Sequence, residues 1–281
     1  MDFLTLAEAL GLKPGSVTAL VGGGGKTSTL LRLCEEFGRD GRRVLATTTA
    51  RMKMEELSPM QDVLLWDDRD LQGPAWKSCR DAKGSDAAWI GAVLKGQTSP
   101  SVSATFLGRS MMRDKVVGLP ADYLGNLLSG LSWDEVVVEA DGCRGRSIKA
   151  HRLGEPAIPL CATHCVIVIG ADGINMPVND ETCHRPEVIL DLLGLEWGEN
   201  LSPRKLVDLL RHPRGILSKI PGDVEALVYV NKVPFGKEVP QVMLLAREIL
   251  ERCAPRIRRI AVGDNRQGGL FGAFLPQPRE A

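Results

Sequence analysis

The sequence has no surplus charge of either sign: Lys plus Arg and Asp plus Glu both count 35 in 281 residues. Without a net field the chain is not built to attract nucleic acid or an anionic membrane, so neither is expected as a partner and any basic site is local. Long apolar runs are missing as well. None approaches the ~20 residues that span a bilayer, and the opening MDFLTLAEALGLKPG has acids and no signal-peptide core, so a cytoplasmic location is expected. No C-x-x-C pair occurs among the 7 cysteines, which are expected to be reduced thiols, not a disulfide framework. Cys161 and Cys165 with His164 come nearest to a zinc set. Because Cys165 opens an apolar strand, neither cysteine is expected to hold a structural metal. Internal repeats and low-complexity linkers are also missing.

What is present is enough apolar material, 44% of residues, to bury a large core, and one stretch around which the rest is arranged. Ser16 to Leu30 reads SVTALVGGGGKTSTL. An apolar strand, Val17 to Val21, runs through Gly22, Gly23, Gly24 and Gly25 into Lys26, Thr27 and Ser28, where a helix should begin. Glycines let backbone N–H groups turn inward around an anion, and the helix start adds partial positive charge. Lys26 adds a full one, and Thr27 can put its hydroxyl on Mg2+ bridging phosphate oxygens. Leu20 stands where the longer phosphate-loop pattern has glycine, so the match is to the shorter form G-x-x-G-K-T, also found in Mur ligases. A flexible Gly-rich turn would explain the glycines but not the Lys-Thr pair.

Two further strand ends face the same way. Arg43 to Ala46 runs into Thr47, Thr48 and Thr49, of which Thr48 and Thr49 are candidate Mg2+ or γ-phosphate contacts; as β-formers they need no ligand at all. Glu135 to Ala140 carries three valines and ends in Glu139-Ala140-Asp141-Gly142. Acids at the end of a strand beside a phosphate loop can hold Mg2+ or orient water, and spacing of two puts Glu139 and Asp141 on one side. Lys26, Glu139 and Asp141 are therefore the candidate catalytic groups, with Asp141 and Thr27 as candidate metal ligands. The following CRGRSIK brings Arg144, Arg146 and Lys149 alongside. A third strand, Cys165 to Ile169, leads to Asp172 and then to His184 and Arg185. Loops at the carboxyl ends of parallel strands share one crevice, so these six are candidates for second-substrate contacts.

Helices are expected at Glu187 to Leu193, at Ser202 to Leu210 with Ser202 as N-cap, and at Val239 to Cys253. Strands are expected at Ala226 to Val230 and Ile257 to Val262. Strands interleaved with helices predict one three-layer α/β domain, phosphate-loop NTPase-like, with a mostly parallel sheet. Residues 58–130 fit this alternation poorly and read as a small antiparallel insertion, with strands at Asp62 to Trp66 and Ala88 to Leu94 and a closing helix near Pro120 to Leu128. Asn231-Lys232-Val233-Pro234 falls where GTP-binding proteins carry N-K-x-D. Asn231 and Lys232 can pack on a purine, but Pro234 offers no acceptor to reject adenine, so weak selectivity between ATP and GTP is expected.

In this order, VGGGGKTS, RVLATTT, VVVEADGCRGRSIKAH, GEPAIP, VIVIGADG, CHRPEVI and VNKV resemble the YqeC-type accessory proteins of selenium-dependent molybdenum hydroxylases. The resemblance covers most of residues 16–235. It implies a phosphate-loop fold and a part in maturing the selenium-containing molybdenum centre, with the hydroxylase or its cofactor-maturation proteins as partners. Ala50 and Arg51 depart from the threonine and histidine usual there, and His151 from proline. Three roles are open at this point: a Mg2+-dependent NTPase in that maturation, a nucleotide-gated cofactor chaperone, or a small-molecule kinase or ligase.

Overall fold

The computed structural model describes residues 5–60, 62–65, 104–128, 133–234, 239–267 and 269–275. Its strands are β1 (Val17–Gly22), β2 (Val44–Thr48), β3 (Arg51–Lys53), β4 (Asp62–Leu65), β5 (Ala104–Gly108), β6 (Ser110–Met112), β7 (Lys115–Val117), β8 (Glu135–Glu139), β9 (Ile148–Lys149), β10 (His164–Gly170), β11 (Cys183–His184), β12 (Glu225–Asn231), β13 (Ile257–Asp264) and β14 (Gly269–Phe274). The helices are α1 (Leu6–Leu10), α2 (Lys26–Arg39), α3 (Leu124–Leu128), α4 (Pro186–Leu193), α5 (Pro203–Arg211) and α6 (Pro240–Cys253).

Nine strands form the main sheet in the order β14-β13-β12-β10-β1-β8-β2-β5-β4. Every pairing is parallel except β13 with β14. The central strands read as unbroken apolar runs because both faces are covered. Successive side chains point to opposite faces, so Leu20, Val166, Val168 and Leu227 pack with Leu30, Leu33 and Phe37 of α2 and with α1. On the other face Val21, Ile167, Ile169, Val228 and Val230 pack with Ile189 of α4, Leu206 and Leu210 of α5, and Leu245 and Ile249 of α6. Leu124 and Leu127 of α3 cover Leu45, Val136 and Val138. Each such side chain contributes about 1.5–3 kcal/mol by leaving water. The chain is thus α/β with a mostly parallel central sheet, as its pattern of elements indicates. No helix among the described residues is long and apolar enough to cross a membrane.

The reading of residues 58–130 needs correction. β4 and β5 are not part of an antiparallel insertion but extend the main sheet in parallel from β2. The Ala-Thr-Phe-Leu-Gly run of β5 is nearly all buried, which is what membership of a covered sheet requires. Among the described residues of this stretch, antiparallel pairing involves β6 and β7, which join β3 in a separate three-stranded sheet. The strand expected at Ala88 to Leu94 lies outside the described residues. β14, which no pattern indicated, caps the sheet edge.

This topology sets β1 between β8 and β10, its register pairing Leu20 with Glu139 and Gly22 with Val168. The carboxyl ends of β1, β8, β10, β12 and β2 therefore open onto one edge, and every candidate residue lies there or on the loops that follow.

Candidate functional site

The glycine loop does not lie open. Gly22 donates its N–H to Asp141 Oδ2 at 3.0 Å, Gly23 to the Val168 carbonyl at 2.9 Å and Gly24 to the Arg146 carbonyl at 2.8 Å. These three amides dock the loop against β8, β10 and the Cys143 to Ser147 turn, so the expectation that they turn inward is corrected. Gly24 has φ 75° and a Cβ there would sit 2.1 Å from the Gly170 nitrogen, so both conformation and closeness demand glycine. Past this point the geometry changes. The N–H groups of Gly25, Lys26, Thr27 and Ser28 find no acceptor among the described residues and head α2, a 14-residue helix. Unpaired amides with the helix dipole behind them have the chemistry that suits an anion.

Asn231 braces the loop from the side. Its Nδ2 donates to the Gly24 carbonyl at 2.8 Å, and its Oδ1 accepts Asn265 N–H at 3.0 Å and the Tyr229 hydroxyl at 3.3 Å. Asn265 in turn donates to Ser28 Oγ at 3.1 Å and Thr29 Oγ1 at 2.9 Å. Buried, with both its amide nitrogen and its oxygen bonded within the protein, Asn231 holds the loop rather than facing outward to a base. Lys232 is tied to Ser147 Oγ at 2.8 Å and Asp172 Oδ2 at 2.9 Å.

A chain of alternating charge runs away from the loop. Lys26 Nζ donates to the Gly22 carbonyl at 2.7 Å and lies 3.0 Å from Asp141 Oδ1, close enough for an ion pair but not aligned as a hydrogen bond. Asp141 Oδ2 meets His151 Nε2 at 2.6 Å and lies 3.4 Å from Lys149 Nζ. Lys149 donates to the Gly142 carbonyl at 2.6 Å and approaches Glu155, which makes a two-pronged pair with Arg185. Burial would raise the Asp141 carboxyl, but Lys26, His151 and Lys149 hold it well below the usual range. Burial would lower the Lys26 ammonium, but Asp141, Cys143 and Glu139 together more than offset that, holding it above its ordinary value. For Lys149 and His151 burial wins and both are lowered. Asp141 is thus engaged through Oδ2, while Oδ1 accepts no hydrogen bond and has the Lys26 ammonium beside it, an arrangement suited to orienting that lysine.

Glu139 behaves differently. Its Oε2 accepts the Thr27 hydroxyl at 2.8 Å, and Glu56, on a 3₁₀ turn at Met54–Leu57, comes within 3.5 Å of the same hydroxyl. Burial pushes the Glu139 carboxyl up to about 7, against the pull of Lys26 and Thr27. A hydroxyl and two carboxylates are hard oxygen donors of the kind Mg2+ takes. Thr48 and Thr49 are not brought into this group. Their hydroxyls donate to the carbonyls of Glu139 and Ala157, each at 2.8 Å, and tie β2 to its neighbours.

The second-substrate candidates do converge in part. β9 and β11 pair in parallel with Lys149 opposite His184, which aligns CRGRSIK with the His184-Arg185 turn. Burial pushes the His184 imidazole down to about 4, and the nearby charges of Lys149, Arg185 and Arg144 push it further in that direction. Arg146 meets the loop through its carbonyl, and Asp172 is spent on Lys232. Cys165 is buried in the core and Cys161 half-buried. Sequence reasoning missed Glu56, Glu155, Asn265 and the place of His151. His151 left a trace as a departure beside an otherwise matching motif, and Glu155 as part of GEPAIP.

These features define an α/β protein whose parallel strands direct a glycine-rich strand-to-helix turn, an acidic strand and a cationic loop to one edge. The family model described as YqeC protein matches residues 18–187. The chain belongs to the YqeC family. A relative from Escherichia coli (strain K12), named Uncharacterized protein YqeC, is 31% identical over 220 residues, covering 78% of this chain and 77% of its own.

Proposed function

We propose that this protein binds the phosphates of ATP or GTP at the start of α2 together with Mg2+, and that phosphate release or transfer there serves the maturation of a selenium-dependent molybdenum hydroxylase. The observation that carries the phosphate reading is the first turn of α2. Four amides without acceptors among the described residues, at Gly25 to Ser28, surround the base of Lys26. An ammonium has three N–H donors, and Lys26 directs its charge at Gly22 and Asp141, keeping capacity for a phosphate oxygen. Thr27 and Glu139, with Glu56 nearby, fit Mg2+; the ion would supply neutralisation of phosphate charge. In this account Lys26 binds, Asp141 orients Lys26, Glu139 orients or deprotonates water once ionised, and the loops of Arg144, Lys149, His184 and Arg185 receive the second, anionic substrate. The maturation role rests on the matching motifs and has the hydroxylase or its cofactor-maturation proteins as partners. Mass spectrometry of small molecules retained by the purified protein tests it. A nucleotide with or without a pterin is the expected finding, and a retained ligand with neither phosphate nor pterin would contradict it.

A further inference from the structure

We propose that His151 is a positioning residue for Lys26 that acts through Asp141, an inference that rests on Lys26 being the phosphate ligand. Asp141 Oδ2 is pinned from two sides, by His151 Nε2 at 2.6 Å and by the Gly22 N–H at 3.0 Å, while Lys149 Nζ stands 3.4 Å off. With that oxygen fixed, the carboxylate cannot swing, and Oδ1 faces Lys26 at 3.0 Å. The His151 side chain is 3% exposed, in a site already holding Lys26 and Lys149. Burial holds the His151 imidazole below its ordinary value against the pull of Asp141, which favours the uncharged ring, and toward a carboxylate the contact is a donated Nε2–H.

A donor fixed on Oδ2 leaves Oδ1 to Lys26, and the charge of that donor sets how strongly. A cation in its place would compensate Asp141 outright and leave Lys26 loosely held. A side chain without a donor would leave Asp141 under-satisfied, drawing Lys26 harder. A neutral donor lies between: Lys26 stays oriented, yet an arriving phosphate oxygen can share its ammonium without stripping Asp141 of its remaining partners. How tightly phosphate binds thus depends on how well Asp141 is satisfied without Lys26.

The test combines calorimetry of Mg2+ with a non-hydrolysable ATP analogue on the wild type, His151→Phe and His151→Gln with 15N NMR of the wild-type histidines. We expect the Nε2–H tautomer at His151, a resonance that moves on saturation, affinity about tenfold weaker for His151→Phe, and recovery to within about threefold for His151→Gln, whose amide donates. Wild-type binding matched by His151→Phe, an Nδ1–H tautomer, or a resonance unmoved by nucleotide would overturn the inference while leaving the phosphate site standing. No binding by the wild type would overturn both. Should His151→Phe not fold, His151→Gln and the wild-type spectra decide, and tenfold loss in the Gln variant counts against it.

Discussion

Lys26 is 1% exposed and fully charged, and that combination changes what its substitution should do. Read from the sequence it is a loop charge whose removal spares the fold; the Asp141 pair makes it a buried ion-pair member. Removing one partner of such a pair costs about 3–5 kcal/mol, and His151, Lys149 and the Gly22 N–H, which remain on Asp141, place Lys26→Ala near the lower figure. The urea midpoint should fall accordingly, and an unchanged midpoint would show that Asp141 does not need the lysine. Glu139 gives a pH signature of opposite sign to Asp141. Its folded value near 7 lies above the ordinary 4.5, so the native state binds the extra proton in between and loses stability as pH rises across that window. Mg2+ needs the ionised form, so its affinity should increase from pH 6 to 8, approaching a plateau. Glu139→Gln should flatten both profiles, and an identical Mg2+ profile in that variant would move the metal elsewhere. Asp141, depressed, contributes stability that is present above its ordinary value and lost only as pH falls below it.

At the scale of elements, the strand ends matter more than the strands. Asn231 closes β12 by bonding the Gly24 carbonyl; replacing it with alanine leaves that buried carbonyl unpaired, costing about 1–3 kcal/mol. We expect Asn231→Ala to be less stable and to bind ATP and GTP more weakly in equal proportion, because the side chain shapes the loop and touches no base. A changed ATP-to-GTP ratio in competitive titration would restore the base-reading role. This residue also marks how far the sequence could be read. Val17 to Val21, Val136 to Val138 and Cys165 to Ile169 were legible because strands covered on both faces are continuously apolar. The start of α2 was legible because glycines before Lys-Thr have few other uses. β5 and β14 were not, since a short apolar run takes its partner from tertiary contacts that local pattern does not encode. Asn231 looked like a base contact because its motif was seen apart from the loop it supports, and Glu56 reaches Thr27 across a 3₁₀ turn no periodicity announces.

Across the whole molecule, one edge of a parallel sheet gathers a helix start with unpaired amides, a buried carboxylate raised by burial and a cationic loop pair, at the place where such sheets bind ligands. The base has no reader in Asn231 or Lys232, both committed within the protein. ATP and GTP should therefore bind within roughly tenfold of each other, and a GTP preference above about a hundredfold would mean that another residue supplies the acceptor. The central claim is that phosphate is held at Lys26 on α2. Calorimetric titration of ATP with Mg2+ into the wild type and Lys26→Gln, which keeps a donor toward Gly22 while removing the charge, tests it most directly. The account expects saturable binding by the wild type and at least about tenfold weaker binding by the folded variant; no binding by the wild type, or equal affinity in the two, would contradict it.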